Sequence, residues 1–205
     1  MGGSDPLPYS RHLLRWTSYR NAGPHVHGSL NKEGRITMAR RCFYSFHYEP
    51  DNWRASTVRK IGAIEGNQPA TDNDWETVTG GANAEEKIKQ WIEKQMQGRT
   101  CTIVLVGAGT ARREWINYEI IKSWNDGLGV VGIRIHGLKD RFSQTAAMGE
   151  NPFDYITHGP SKQPLSSIVK CYNPGGSTSQ ERYAWISEHL ASAVEEAIRI
   201  RNSNQ

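Results

Sequence analysis

Cysteine is scarce: three residues in 205, Cys42, Cys101 and Cys171. An odd number, widely spaced and set in apolar stretches, argues against a disulfide framework and reads as small buried hydrophobes in a reducing, cytoplasmic setting. No apolar run approaches the roughly 18 residues of a membrane-spanning helix, so no membrane partner is expected. A surplus of one charge is also missing from the folded part. The chain has 25 Lys and Arg against 21 Asp and Glu, and its pI is near 9.0. Five of the basic side chains (Arg11, Arg15, Arg20, Lys32, Arg35) and two acidic ones (Asp5, Glu33) fall in residues 1–37, leaving 20 basic and 19 acidic beyond them. The near-neutral remainder argues against a phosphate-tracking surface, and no nucleic-acid partner is expected.

Residues 1–37 have scattered glycine and proline, no sustained periodicity, and no apolar core of the roughly 7 or more residues that a secretory signal needs. They read as a leader, disordered or non-native, with Met38 as the candidate natural start and 38–205 as one folded domain. His25 and His27 in "HVH" lack a third ligand nearby, and no metal site is expected.

From Met38 the pattern alternates. "RCFYSFHY" (41–48) is aromatic and β-favouring, and "DNWRASTVRKIG" can open a helix with Asp51 or Asn52 as its cap. Residues 66–81 are rich in turn formers and read as a long loop, of the kind that serves as a lid or interface. "NAEEKIKQWIEKQMQG" has Asn83 and Glu86 spaced as a capping box, with Ile88, Trp91, Ile92 and Met96 on one helical face. "TCTIVLVG" (100–107) and "GVVGIRIHG" (129–137) are continuous apolar runs, the pattern of central parallel strands. A short strand at 167–172 and a helix from about Gln180 to Ile200 complete the series. The expected fold is α/β, a three-layer sandwich around a central parallel sheet.

The strand before Gly107 runs into "GAG", which suggests a dinucleotide-binding turn. That motif needs a further glycine where Arg112 stands, so it is incomplete. In the helix behind the turn, with Thr110 as expected cap, Arg112, Trp115, Ile116, Glu119 and Ser123 share one face. Its other faces carry Tyr118, Ile120, Ile121 and Trp124, so burial on more than one side is expected. A carboxylate there either reaches the helix edge or loses solvation, with its pKa pushed upward.

From Arg41 to about Ile156 the chain resembles the bacterial TIR-like domains of flavodoxin-like build, the group that includes the NAD-processing TIR protein of the Thoeris antiphage defence system. "FYSFHYEPDNWRA", "IEKQMQGRTCTIVLVGAGTARREWINYEIIKSW", and "GIRIHGLKD" with "GENPFDYI" carry the likeness. The second contains W-x-x-x-E as Trp115 and Glu119. The resemblance implies that Glu119 is the catalytic glutamate of an NAD glycohydrolase or ADP-ribosyl cyclase, with NAD as substrate rather than cofactor. A carboxylate suits that chemistry, because cleavage of the nicotinamide–ribose bond develops positive charge on the sugar. It also implies substrate-binding roles for Trp115, Phe46 and His47. Trp115 and Phe46 read equally as core residues, and His47 as a strand-end histidine; Tyr48 and Asp51 are weaker candidates. A cyclic ADP-ribose signal, a downstream effector protein that reads it, and a homo-oligomer follow from the same likeness. The alternative is a non-enzymatic TIR-like interaction module. A receiver-like domain is disfavoured because no aspartate ends the "TIVLVG" strand, and a flavin site because "HYEPDN" is too acidic for phosphate.

Overall fold

Strands buried on both faces organise the centre of the molecule. The computed structural model describes residues 28–30, 36–38, 40–61 and 83–204. Strands β1 (Gly28–Leu30) and β2 (Ile36–Met38) form a small antiparallel ladder that starts within the stretch read as a leader and ends at Met38, the candidate start; the rest of that stretch, with His25 and His27, and the 66–81 loop lie outside the described residues. β3 (Cys42–Phe46) is followed by α1 (Tyr48–Arg59), then by α2 (Ala84–Met96), β4 (Cys101–Val106), α3 (Glu114–Asn125) and β5 (Gly129–Arg134). Two-residue strands β6 (Thr157–His158) and β7 (Gln163–Pro164) pair antiparallel, and β8 (Cys171–Tyr172) precedes the long α4 (Ser179–Ser203).

Strands β3, β4, β5 and β8 form one parallel sheet in that order, with Cys42 opposite Cys101 and Cys101 opposite Gly129. β3 and β4 are buried along their whole length, as continuous apolar runs require when both faces are covered. Cys42, Tyr44, Phe46, Ile103, Leu105, Val131 and Ile133 face α1 and α4. Val104, Val106 and Val130 meet Ile116 and Ile120 of α3 and Phe153 on the other face. Phe43 packs with Ile88, Ile92 and Met96 of α2. The result is the expected α/β three-layer sandwich. No described helix is long and apolar enough to cross a membrane.

The cysteines are unpaired, with Cys42 and Cys101 buried and Cys171 partly so. Several local signals resolve differently from expectation. α1 begins at Tyr48, so Asp51 is buried in its first turn rather than capping it. Asn83 precedes α2 at φ 73 with no side-chain cap bond. The 167–172 stretch is a strand only at its last two residues, the residues before it forming a 3-10 turn (Leu165–Ser167). In "NPFDYI", Asn151 caps a short turn through Phe153 N–H; Phe153 is fully buried, whereas Tyr155 is exposed. The capping box is found instead at α4, where Thr178 and Glu181 satisfy each other's backbone.

Candidate active site

A polar seam crosses the apolar layer between the sheet and α3. Strand alternation turns Phe43 and Ser45 toward α2 and α3, while their neighbours turn the other way. On α3, Ile116 and Ile120 fill the β4–β5 groove, and one step around the helix Glu119 and Ser123 are buried. Glu119 is 3% exposed. Its Oε2 accepts from Ser45 Oγ at 2.5 Å. Ser123 Oγ donates to the Glu119 carbonyl at 2.6 Å and is itself 2.6 Å from Thr102 Oγ1. The carboxyl is pushed up to about 8, chiefly by burial, with the Ser45 hydroxyl pulling the other way.

Trp115 stands one turn before Glu119. It is half-buried, packs on the Phe43–Ile88–Ile92–Met96 cluster, and meets Tyr118 edge to face at 6.1 Å. Tyr118 in turn donates to Glu93 at 3.0 Å, so α2 and α3 are clasped beside the glutamate.

His47 follows the strand and precedes α1 in extended backbone. Its imidazole is pushed down by burial first, then by Arg113, with Glu49 opposing. Its Nδ1 is buried without a hydrogen-bond partner among the described residues, and a Cβ on Gly109 would stand 3.5 Å from it. Histidine and turn therefore meet at the C-terminal edge of the sheet, where open parallel sheets gather ligands. Phe46 lies across the sheet, packed toward α1 and α4, with Tyr48 beside it at 6.4 Å between centroids.

The 107–113 turn is held by side chains that the sequence reading gave other work. Thr110 Oγ1 accepts from Gly107 N–H at 2.8 Å and bonds back to the Leu105 carbonyl, and the residue preceding α3 is Arg113. Arg112 sits outside the helix at φ 64, a left-handed conformation that glycine favours. Asp51, 1% exposed, lies against Gly107 so closely that a Cβ there would be 1.9 Å from its Oδ2. Its carboxyl is raised by burial, with Arg54 at 3.4 Å opposing. Arg54 also reaches the carbonyls of Pro50, Leu138 and Gln144.

The structure thus brings Ser45, Glu119 and Trp115 to one side of the sheet, sets His47 at its edge, and leaves Phe46 on the far side. Ser45 was missed by sequence reasoning. Its one signal is a hydroxyl between two aromatics in an otherwise apolar strand, and strand alternation alone does not say which helix lies opposite. Among the described residues, no group of three His, Cys, Asp or Glu is placed to hold a metal.

Residues 43–140 match the family described as the TIR-like domain of the Thoeris protein ThsB. ThsB1 of Bacillus cereus (strain MSX-D12), which carries the provisional name cyclic ADP-D-ribose synthase, is 34% identical over 124 residues, 58% of this chain and 64% of the relative. The chain therefore spans less than two thirds of the length of the curated relative it matches.

Proposed function

We propose, on the premise that residues 43–140 form a TIR-like domain of the Thoeris ThsB kind, that this protein cleaves the nicotinamide–ribose bond of NAD and converts the remainder into a cyclic ADP-ribose signal. The observation that carries the reading is a buried glutamate, Glu119, one turn from Trp115 and bonded by Ser45. Neutral nicotinamide departs with the bonding electron pair, leaving oxocarbenium character at the ribose C1′. The Glu119 carboxylate stabilises that charge and orients a ribose hydroxyl. The cation is then captured by a nucleophilic atom of the same molecule, giving a cycle, or by water, giving linear ADP-ribose.

Burial favours the neutral acid in the empty site, and the pyridinium charge of bound NAD favours the carboxylate, so substrate itself ionises the residue that acts on it. Trp115 walls the nicotinamide side and His47 borders it at the sheet edge. Phe46 acts from behind, fixing the end of the strand that presents His47. NAD is substrate, with no separate cofactor. The working protein is a cytoplasmic homo-oligomer in antiphage defence, and a separate effector reads its product.

The test is incubation of concentrated protein with NAD, following nicotinamide and ADP-ribose products by chromatography with mass detection. Release that disappears in Glu119→Gln supports the reading, and product mass separates cyclisation from hydrolysis. The near-complete enclosure of Glu119 favours a second reading, a non-enzymatic interaction module. Silence of the wild type at high concentration and after addition of infected-cell lysate would establish that one instead.

A further inference from the structure

The seam that holds Glu119 reaches the C-terminal edge of the sheet, and an arginine stands there that the chemistry above does not use. Ser45 and His47 are two residues apart in extended backbone, so their side chains leave the strand on the same face, about 7 Å apart. Ser45 binds the Glu119 carboxyl, and His47, one step nearer the edge, lies beside Gly109. Arg113 completes the line. It precedes α3 in extended backbone, and its Nε donates to the Gly109 carbonyl at 3.3 Å, which sets the guanidinium against the turn that His47 abuts. The imidazole, pushed down first by burial, is pushed down further by this cation. Glu119, Ser45, His47, Gly109 and Arg113 therefore follow one another from the buried carboxyl out to solvent.

Arg113 is exposed, and among the described residues the Gly109 carbonyl is its one hydrogen-bond partner and no carboxylate pairs with it, neither its chain neighbour Glu114 nor Glu49 beside His47. The rest of its N–H fork is left to water. Nearby arginines are engaged: Arg112 by Tyr155 and Glu150, Arg54 by Asp51 and Asp140, and Arg134 by the Gly149 carbonyl. Arg182 lies against Gly137 at the start of α4, the helix packed on the other face of the sheet. A free planar fork suits phosphate, whose oxygens it can take two at a time. The substrate would bring phosphate to this place. In NAD the nicotinamide and the 5′-phosphate arm leave the same face of the ribose. With that ribose at Glu119 and the nicotinamide bordered by His47, the arm passes His47 toward Gly109, and its diphosphate, with two negative charges, meets Arg113.

We propose that Arg113 is a substrate-binding residue that grips the diphosphate of a dinucleotide and so selects dinucleotides over nicotinamide nucleosides. The assignment rests on the NAD-cleaving reading of Glu119 and adds to it the group that anchors the unreacting part of the substrate.

The test uses the full chain carrying Glu119→Gln, so that nothing is turned over, and titrates it by calorimetry and saturation-transfer NMR with NAD and with nicotinamide riboside, which has the reacting bond and no phosphate. Adding Arg113→Gln should weaken NAD binding about ten- to hundredfold, the loss of a charge-assisted bidentate contact. Nicotinamide riboside binding and the melting temperature should stay where they were. Arg113→Lys, which keeps the charge without the fork, should recover part of the loss, and NAD binding should depend less on salt in Arg113→Gln. NAD binding that is unchanged by Arg113→Gln, or weakened equally for both probes, overturns the assignment and leaves the Glu119 reading standing. If the Arg113-intact chain binds neither probe, both fall together.

Discussion

At the scale of single residues, the energetics centre on a carboxyl that the fold keeps from water. Below the ordinary glutamate value of 4.5 the side chain is protonated whether folded or not, and it contributes no pH dependence. Between 4.5 and about 8 the unfolded chain ionises while the folded chain holds its proton. Stability therefore falls as pH rises through that window, and the loss is complete above it. Glu119→Gln keeps an acceptor for Ser45 and removes the titration. Its melting temperature should exceed the wild type's by little near pH 5 and by the equivalent of roughly 3–5 kcal/mol above about pH 8; an advantage that stays flat with pH would refute the burial argument. On the proposed reading the same group also sets the rate. With the carboxylate as the acting form, kcat/KM should rise with pH to a midpoint of about 8. Ser45→Ala withdraws the hydroxyl that favours ionisation. A pH–rate profile of that variant should show the midpoint displaced upward, and an unmoved midpoint would leave Ser45 a packing residue only.

At the scale of elements, the turn between β4 and α3 is fitted against the first turn of α1. Gly107 leaves room for the Asp51 carboxyl, where a methyl would sit 1.9 Å from Oδ2, whereas Gly109 faces His47 at an ordinary 3.5 Å. Gly107→Ala should therefore lower stability by about 2 kcal/mol or more, and Gly109→Ala by less than about 1 kcal/mol, read from urea midpoints. Equal effects would show that the Asp51 contact yields easily. Helix starts followed the same logic of competition. Asp51 and Thr110 both have the chemistry of a cap, but Asp51 is engaged by Arg54 and Thr110 by the Gly107 amide. Propensity proposes a cap, and the nearest unsatisfied partner decides.

At the scale of the whole molecule, the proposed function places its acting glutamate in an enclosed seam, and on that reading the resting protein acts slowly until something opens it. Trp53, Phe142 and Met148 are large apolar side chains left exposed, surface that association would cover. If assembly opens the site, nicotinamide released per chain should fall on dilution, tracked together with mass by light scattering. Constant specific activity across the series would remove assembly from the mechanism.

Layering and element order were legible in the chain itself. Continuous apolar runs at β4 and β5 specify strands covered on both faces, and the 3.6-residue spacing of Ile88, Ile92 and Met96 specifies a surface helix, because both patterns express burial directly. Trp115 and Glu119 were likewise readable, since one helical turn separates them in any fold. What only the tertiary structure decided was the company they keep. Strand alternation permits either face to meet either helix, so Ser45 beside Glu119, Phe46 across the sheet, and Thr110 and Asp51 bracing the turn all depend on which surfaces packed together. Those pairings join residues dozens of positions apart, and their selection rests on shape and on satisfying buried polar groups, which no local spacing encodes.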